Sequence, residues 1–480
     1  MKIVKKFFLT LLSIIFCLNI TLAQNQDQKS TNAKVDSYVK TIMQRHKIPG
    51  VALAIIQNGK VTHKTYYGNA SLVHNVPVTK KTIFRIYSTT KLFVATGIFK
   101  LIEEGKLSLE DEVTKYVDGL PKTWQKLKVK HLITHSSGLP DMAPFWKFQN
   151  LSEEQAKEVV FSEPIKSQPG EEYSYNQTNF WLLQKIIEKT SRQKFTDFIL
   201  THQFGKKNNN AFFNADSRDI IPNRTLPYFP FAKNRIQIDA SYSGDYLMSA
   251  NGFNITLDEF IKWNRRFDNN DFLKKETKNL MWTPFTYKKP RKFAYSWGMY
   301  PLNDRVSYGF TGGLVTGFRK IPKDKLDIIF LTNGFDRFFR VDDVIDYVAG
   351  IVDKDLHSNA LITIEEMRAE FLEGDVKTAL KNFAKWRAVI PDVNLEDFLN
   401  TQGYNALRNG KVADAIEIFK INTEEYPKSG NVWDSLGEAY LANKQYKLAL
   451  EKYKQSLELD PTSENGKTMI KKIEEILKNQ

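Results

Sequence analysis

The sequence predicts an α/β domain, with a mostly antiparallel sheet flanked by helices and an all-α region inserted into it, followed by an all-α solenoid of helical repeats. Three observations carry that reading. Strand-like segments gather at two distant places, about 51–67 and 293–331, whereas the stretch from Ser88 to about Pro290 reads as helices joined by long loops. Within it, Leu92 to Ile102 is apolar on nearly every side, so this helix belongs inside a domain. From Ile364 onward, small and aromatic residues recur 34 apart: Gly403 with Gly437, Ala415 with Ala449, Phe419 with Tyr453, Pro427 with Pro461.

Taken in order, the chain opens with Lys2, Lys5 and Lys6, an apolar run from Phe7 to Leu22, and Ala23, the pattern of a secretory signal peptide over residues 1–23. The run is short for a membrane span, and Phe16 before Cys17 argues against lipid attachment. Removal of this segment leaves no cysteine, which excludes disulfides, thiolate metal sites and cysteine nucleophiles. The net charge falls from +14 to about +11, spread along the chain. A secreted or periplasmic protein with no stable membrane anchor and no nucleic-acid partner is expected.

An amphipathic helix follows, with Val35, Tyr38, Val39, Ile42 and Met43 on one stripe. Val51–Ile56 and Val61–Tyr67 read as a hairpin around Asn58-Gly59. Ile83 to Tyr87 reads as a strand that gives way to the apolar helix at Ser88, with Gly105 as its stop. Strands return as Phe293, Tyr295, Trp297 and Met299, as Val306, Tyr308 and Phe310, and as Leu326–Leu331, before a helix over Val341–Val352. The α/β unit is placed at 24–356 and the repeats at 357–480. The tail resembles tetratricopeptide repeats through Trp433, Leu436, Gly437 and Tyr440, with a weaker copy at Ala379, Phe383 and Pro391 and a capping helix over Asn465–Lys478. Such a stack either binds a protein or peptide or serves as a brace.

The chemistry centres on Ser88 and Lys91. A serine hydroxyl needs a base beside it, and a lysine serves only where burial lowers its pKa. Ser-x-x-Lys spacing occurs three times, at Ser37/Lys40, Ser88/Lys91 and Ser191/Lys194, but only Ser88 has apolar sequence on both sides. The spacing alone leaves open that Ser88 merely caps a core helix while Lys91 snorkels from it. His131 and His135 are spaced for a metal pair, yet Leu132 stands where a zinc-hydrolase helix has glutamate, so no metal and no cofactor is expected.

Five pieces in order then bring out a family: Ser88-Thr89-Thr90-Lys91, LITHSSGLP, PGEEYSYNQ, SANGFNITLDEFIKW and YGFTGG. Together they resemble the serine β-lactamase and penicillin-binding-protein superfamily, in its class C-like branch, across about Asn32 to Val352. The resemblance implies a β-lactamase/transpeptidase-like fold and a serine hydrolase acting on a small-molecule or peptide substrate. In it Ser88 forms an acyl-enzyme, Lys91 assists and Tyr175 relays a proton, its pKa lowered by the lysine cation. Backbone N–H groups of Ser88 and Gly313 would form the oxyanion hole. Gln177, Phe310, Thr311 and Gly312 fall at substrate-binding positions; Gln177 replaces the family's asparagine and Phe310 its lysine or histidine. Loss of that cation points away from efficient β-lactam turnover and toward an ester or amide with an apolar group. Arg319, close by in sequence, is a candidate to compensate for it. A non-catalytic scaffold that uses its repeats for protein interaction is the alternative.

Overall fold

The computed structural model describes residues 26–479 apart from 144, 149, 206–209, 232–234, 314 and 335–338, so the expected signal segment lies outside the described residues. The chain forms two compact units, one made of residues up to 357 without 230–237, the other of 358–480 with 230–237.

The first unit is built around one large antiparallel sheet. Its main sheet runs β3-β2-β1-β12-β11-β10-β9, every pair antiparallel. These strands are β1 (Gly50–Gln57), β2 (Lys60–Ser71), β3 (Val76–Pro77), β9 (Gly298–Leu302), β10 (Arg305–Gly312), β11 (Thr316–Ile321) and β12 (Leu326–Thr332). Asn58 and Gly59 sit at φ 51° and 75°, the paired left-handed backbone that a two-residue hairpin turn demands and that asparagine and glycine tolerate. β1 then pairs with β12, Val51 facing Thr332, which joins the two ends of the unit across the inserted region. Both strands are buried along almost their whole length because helices cover both faces. On one face Tyr38, from the helix over 26–45, stacks on Tyr347 of Val341–Val352 at 4.1 Å.

Two expectations about strands need correction. The Phe293–Met299 alternation does not make one strand: Ser296 takes φ 60°, and its N–H and hydroxyl both donate to Ile133 O, at 2.9 and 3.0 Å, so β9 begins only at Gly298. The inserted region is also not strand-free. A second sheet, β4-β8-β5, joins β4 (Ile83–Arg85), β5 (Ala211–Phe213) and β8 (Phe253–Thr256), and a two-stranded ribbon pairs β6 (Tyr228–Phe231) with β7 (Arg235–Ile238). Strands of three or four residues show no period long enough to read. The helix Thr90–Glu103 runs through the core, with Leu92, Phe93, Val94, Ala95, Ile98 and Phe99 fully buried.

In the second unit, paired helices run from Asn359–Glu373 to Glu464–Lys478, and those that begin at Glu396, Gly430 and Glu464 start 34 residues apart, as do those that begin at Val412 and Tyr446. The spacing has a steric origin: a Cβ at Gly403 would lie 2.4 Å from the Phe419 ring, and one at Gly437 would lie 3.0 Å from the Tyr453 ring. Each small residue receives the aromatic of its own repeat.

Candidate active site

β4 delivers the chain to Ser88 through a tight turn. Tyr87 adopts φ 45°, and a 3-10 turn over Tyr87–Thr89 leads into the helix that begins at Thr90. Hydroxyls hold this turn: Thr90 Oγ1 donates to Tyr87 O at 2.5 Å, and Thr316 Oγ1 of β11 donates to Ile86 O at 3.0 Å. β10 comes so close that a Cβ at Gly312 would lie 2.1 Å from Ile86 O. The central sheet therefore fixes the serine.

Lys91 lies one turn further on and is fully buried. Its Nζ is 2.9 Å from Gln177 Oε1, 2.8 Å from Ala250 O and 3.5 Å from Ser88 Oγ, with the rings of Tyr175 and Phe180 each 4.9 Å away. Burial drives its pKa well below the ordinary lysine value, against a weaker opposing pull from Asp141. Burial thus favours the neutral amine. Such an amine can give its two N–H bonds to Gln177 and Ala250 and turn its lone pair toward the Ser88 hydroxyl.

From the other side, Tyr175 Oη donates to Ser88 Oγ at 2.7 Å. Its ring packs on His135, centroids 4.6 Å apart, and on Phe310 at 6.2 Å. Burial raises the Tyr175 pKa, which reverses the expectation that a lysine cation would lower it. The physical reason is desolvation of the hydroxyl, which faces Ser88 at the cavity floor although the residue as a whole is 37% exposed, so the phenol keeps its proton. His135 Nδ1 accepts the Asn176 N–H at 3.1 Å, which places the ring proton on Nε2, and burial drives its pKa well down. His131 Nδ1 accepts the Lys128 N–H at 3.2 Å, and its pKa falls to about 4 through burial. The two histidines are thus tied to separate backbone groups.

A cavity of about 1090 Å³ opens over the serine, with Ser88, Tyr175, Phe310, Thr311 and Gly313 all on its wall. Residues from β4, the 173–175 loop and β10 meet there, as the ordered motifs anticipate. Two substrate positions differ from expectation. Gln177 is 5% exposed and absent from the cavity wall; its side chain is spent on Lys91, and its N–H donates to Asp141 Oδ1 at 2.7 Å. Gly312 is equally internal, where it admits the serine turn. Arg319 does not replace the missing cation. It is fully buried, pairs with Asp342, lies 3.4 Å over the Tyr300 ring and donates to Thr311 Oγ1 at 3.3 Å.

The competing motifs lie elsewhere. Ser37 and Lys40 stay in the first helix, Ser191 Oγ accepts the Gln193 N–H at the end of Thr178–Ser191, and Tyr67, whose Tyr-x-Asn spacing with Asn69 rivals the Tyr175 motif, lies in β2 and donates to Asp36. Sequence reasoning missed Asp141, Ala250 and His135 as supports of Gln177, Lys91 and Tyr175. His135 and Ala250 sit in the quoted motifs LITHSSGLP and SANGFNITLDEFIKW and Asp141 directly follows the first, but only the fold shows what they hold.

A family model described as β-lactamase matches residues 35–351, and one described as tetratricopeptide repeat matches 430–463. Penicillin-binding protein 4* of Bacillus subtilis (strain 168) is 25% identical over 323 residues, 61% of this chain and 70% of its own length. Protein flp of Staphylococcus aureus (strain MRSA252) is 29% identical over 193 residues; the match takes in 37% of this chain and only 39% of flp. The structure of D-amino acid amidase from Ochrobactrum anthropi SV3, complexed with D-phenylalanine, superimposes with a TM-score of 0.59 at 18% identity, over 68% of this chain and 99% of that one. That likeness is one of fold.

Proposed function

The chain belongs to the β-lactamase family, and we propose that it is a serine hydrolase that forms an acyl-enzyme on Ser88 and acts on an ester or amide with a bulky apolar portion. One observation carries the reading: the Lys91 amine, the Tyr175 phenol and the Ser88 hydroxyl converge at the floor of a single accessible cavity. Lys91 accepts the Ser88 proton as Oγ bonds to the substrate carbonyl carbon. The oxyanion is held by the N–H groups of Ser88 and Gly313. On collapse the C–O or C–N bond breaks, Tyr175 gives its proton to the departing atom, and Lys91 returns a proton to Tyr175. Water then reverses the sequence and releases the acid.

The apolar preference rests on Phe310, which is 7% exposed and forms cavity wall against Phe293 and Tyr175. No charge stands there to hold a carboxylate next to the scissile bond. Phe310→Lys is expected to raise kcat/KM for a chromogenic cephalosporin by about tenfold relative to a neutral short-chain ester; an unchanged ratio would show that the position does not meet substrate.

A fluorophosphonate probe with mass-spectrometric mapping tests the whole reading. It should modify Ser88 and no other serine. Folded protein that reacts with neither the fluorophosphonate nor a labelled penicillin would instead be a scaffold. The repeat unit is of a kind suited to contacts with a protein or peptide.

A further inference from the structure

Four cations crowd the loop between Trp282 and Phe293: Lys288, Lys289, Arg291 and Lys292. The loop is tied down where it passes the 170–172 turn, Lys289 N–H donating to Glu171 O at 2.9 Å, and Phe285 N–H donates to Phe293 O at 2.9 Å across its base. Two of the four cations are ion-paired, Lys288 with Glu171 at 3.1 Å and Lys289 with Glu172 at 2.5 Å. The other two face differently. Arg291 and Lys292 line the same cavity as Ser88, and neither has an ion-pair partner among the described residues. The Arg291 guanidinium lies over the Tyr173 ring, 4.8 Å from its centroid, which holds the planar fork in a fixed plane. Asp342, a carboxylate on the wall of this cavity, is already committed to Arg319 and Thr311.

The cavity thus has a nucleophile at one place, aromatic walls, and two uncompensated cations at another. We propose that Arg291 and Lys292 form a carboxylate subsite, and that the substrate is an ester or amide whose apolar body ends in a carboxylate remote from the scissile bond. This rests on the Ser88 hydrolase reading and deepens it: the charge absent from position 310 is supplied on a different element, so selectivity goes to acids with a spacer between carbonyl and carboxylate. A guanidinium fork matches the two carboxylate oxygens, and the Lys292 ammonium adds a mobile donor.

The test uses two 4-nitrophenyl arylalkanoate esters that differ only in a distal carboxylate or carboxamide, with the full chain. The wild type is expected to favour the carboxylate by about tenfold in kcat/KM, the value for a charge-assisted contact discounted for its exposure. The ratio should fall to about one in Arg291→Gln/Lys292→Gln, persist in Lys288→Gln/Lys289→Gln, and shrink as salt rises from about 0.05 to 0.5 M. A ratio near one in the wild type, or one untouched by the first pair of substitutions, overturns the subsite. Calorimetric titration of the product diacid and its carboxamide reads the same contact without turnover, and equal affinities overturn the subsite even in a chain that hydrolyses nothing. Silence toward both esters and toward fluorophosphonate, with the diacid still preferred, removes the hydrolase reading alone.

Discussion

Lys91→Met is expected to abolish turnover and to raise the melting temperature in the same protein. The first effect follows from removing the base, with a loss of about 10³-fold or more in kcat/KM on a nitrophenyl ester. The second follows from burial. In the unfolded chain the lysine keeps its proton up to its ordinary pKa of 10.5, whereas the folded site pushes that pKa well down. Between the two values the unfolded state binds more protons, so this residue makes stability rise with pH and fall as pH drops toward the folded value. Methionine fills a similar volume with no charge to desolvate, and this gain outweighs the loss of the donor to Gln177 Oε1 and Ala250 O. Stability against pH for wild type and variant should therefore diverge on the acid side and converge near pH 10.5, with a gain of a few degrees, roughly 1–5 °C, near neutrality. Coincident scanning-fluorimetry curves across that range would mean that the ammonium is fully compensated in the fold and that Lys91 is not the base.

Tyr175→Phe is expected to cost about 10²–10³-fold in kcat while leaving the melting temperature close to wild type, because the ring keeps its contacts with His135 and Phe310. Leaving-group dependence separates two roles. A phenol that holds its proton acts as a general acid, so alkyl esters and amides should lose far more than nitrophenyl esters, whose departing anion needs little protonation. A uniform loss across the series would make Tyr175 only a positioning residue for Ser88.

The sequence discloses what depends on local composition and order. Ser88 and Lys91 stand out from two rival pairs because the helix that follows Ser88 is apolar all round, and Tyr175, Thr311 and Gly313 are reached through ordered motifs. The hairpin and the helix Val341–Val352 are equally legible, since each has its own period and stops. The remainder depends on long-range geometry. Strands as short as Phe253–Thr256 lack a period, and the break at Ser296 comes from a carbonyl more than 160 residues away. Gln177 looks like a substrate contact until the fold gives it Lys91 as a partner. In the same way, four consecutive-looking cations are indistinguishable until Glu171 and Glu172 claim two of them.

Tyr87 carries a further consequence. Its left-handed backbone presents Ser88, while its ring closes over Gly313, where an added Cβ would come within 2.9 Å of Cγ and the glycine itself needs φ 55°. Variation at 87 and at 313 is therefore epistatic: Gly313→Ala is blocked while the tyrosine remains, and shrinking the tyrosine removes only half of the obstacle. Laboratory evolution of new specificity should leave this pair fixed and find its gains on the walls above it.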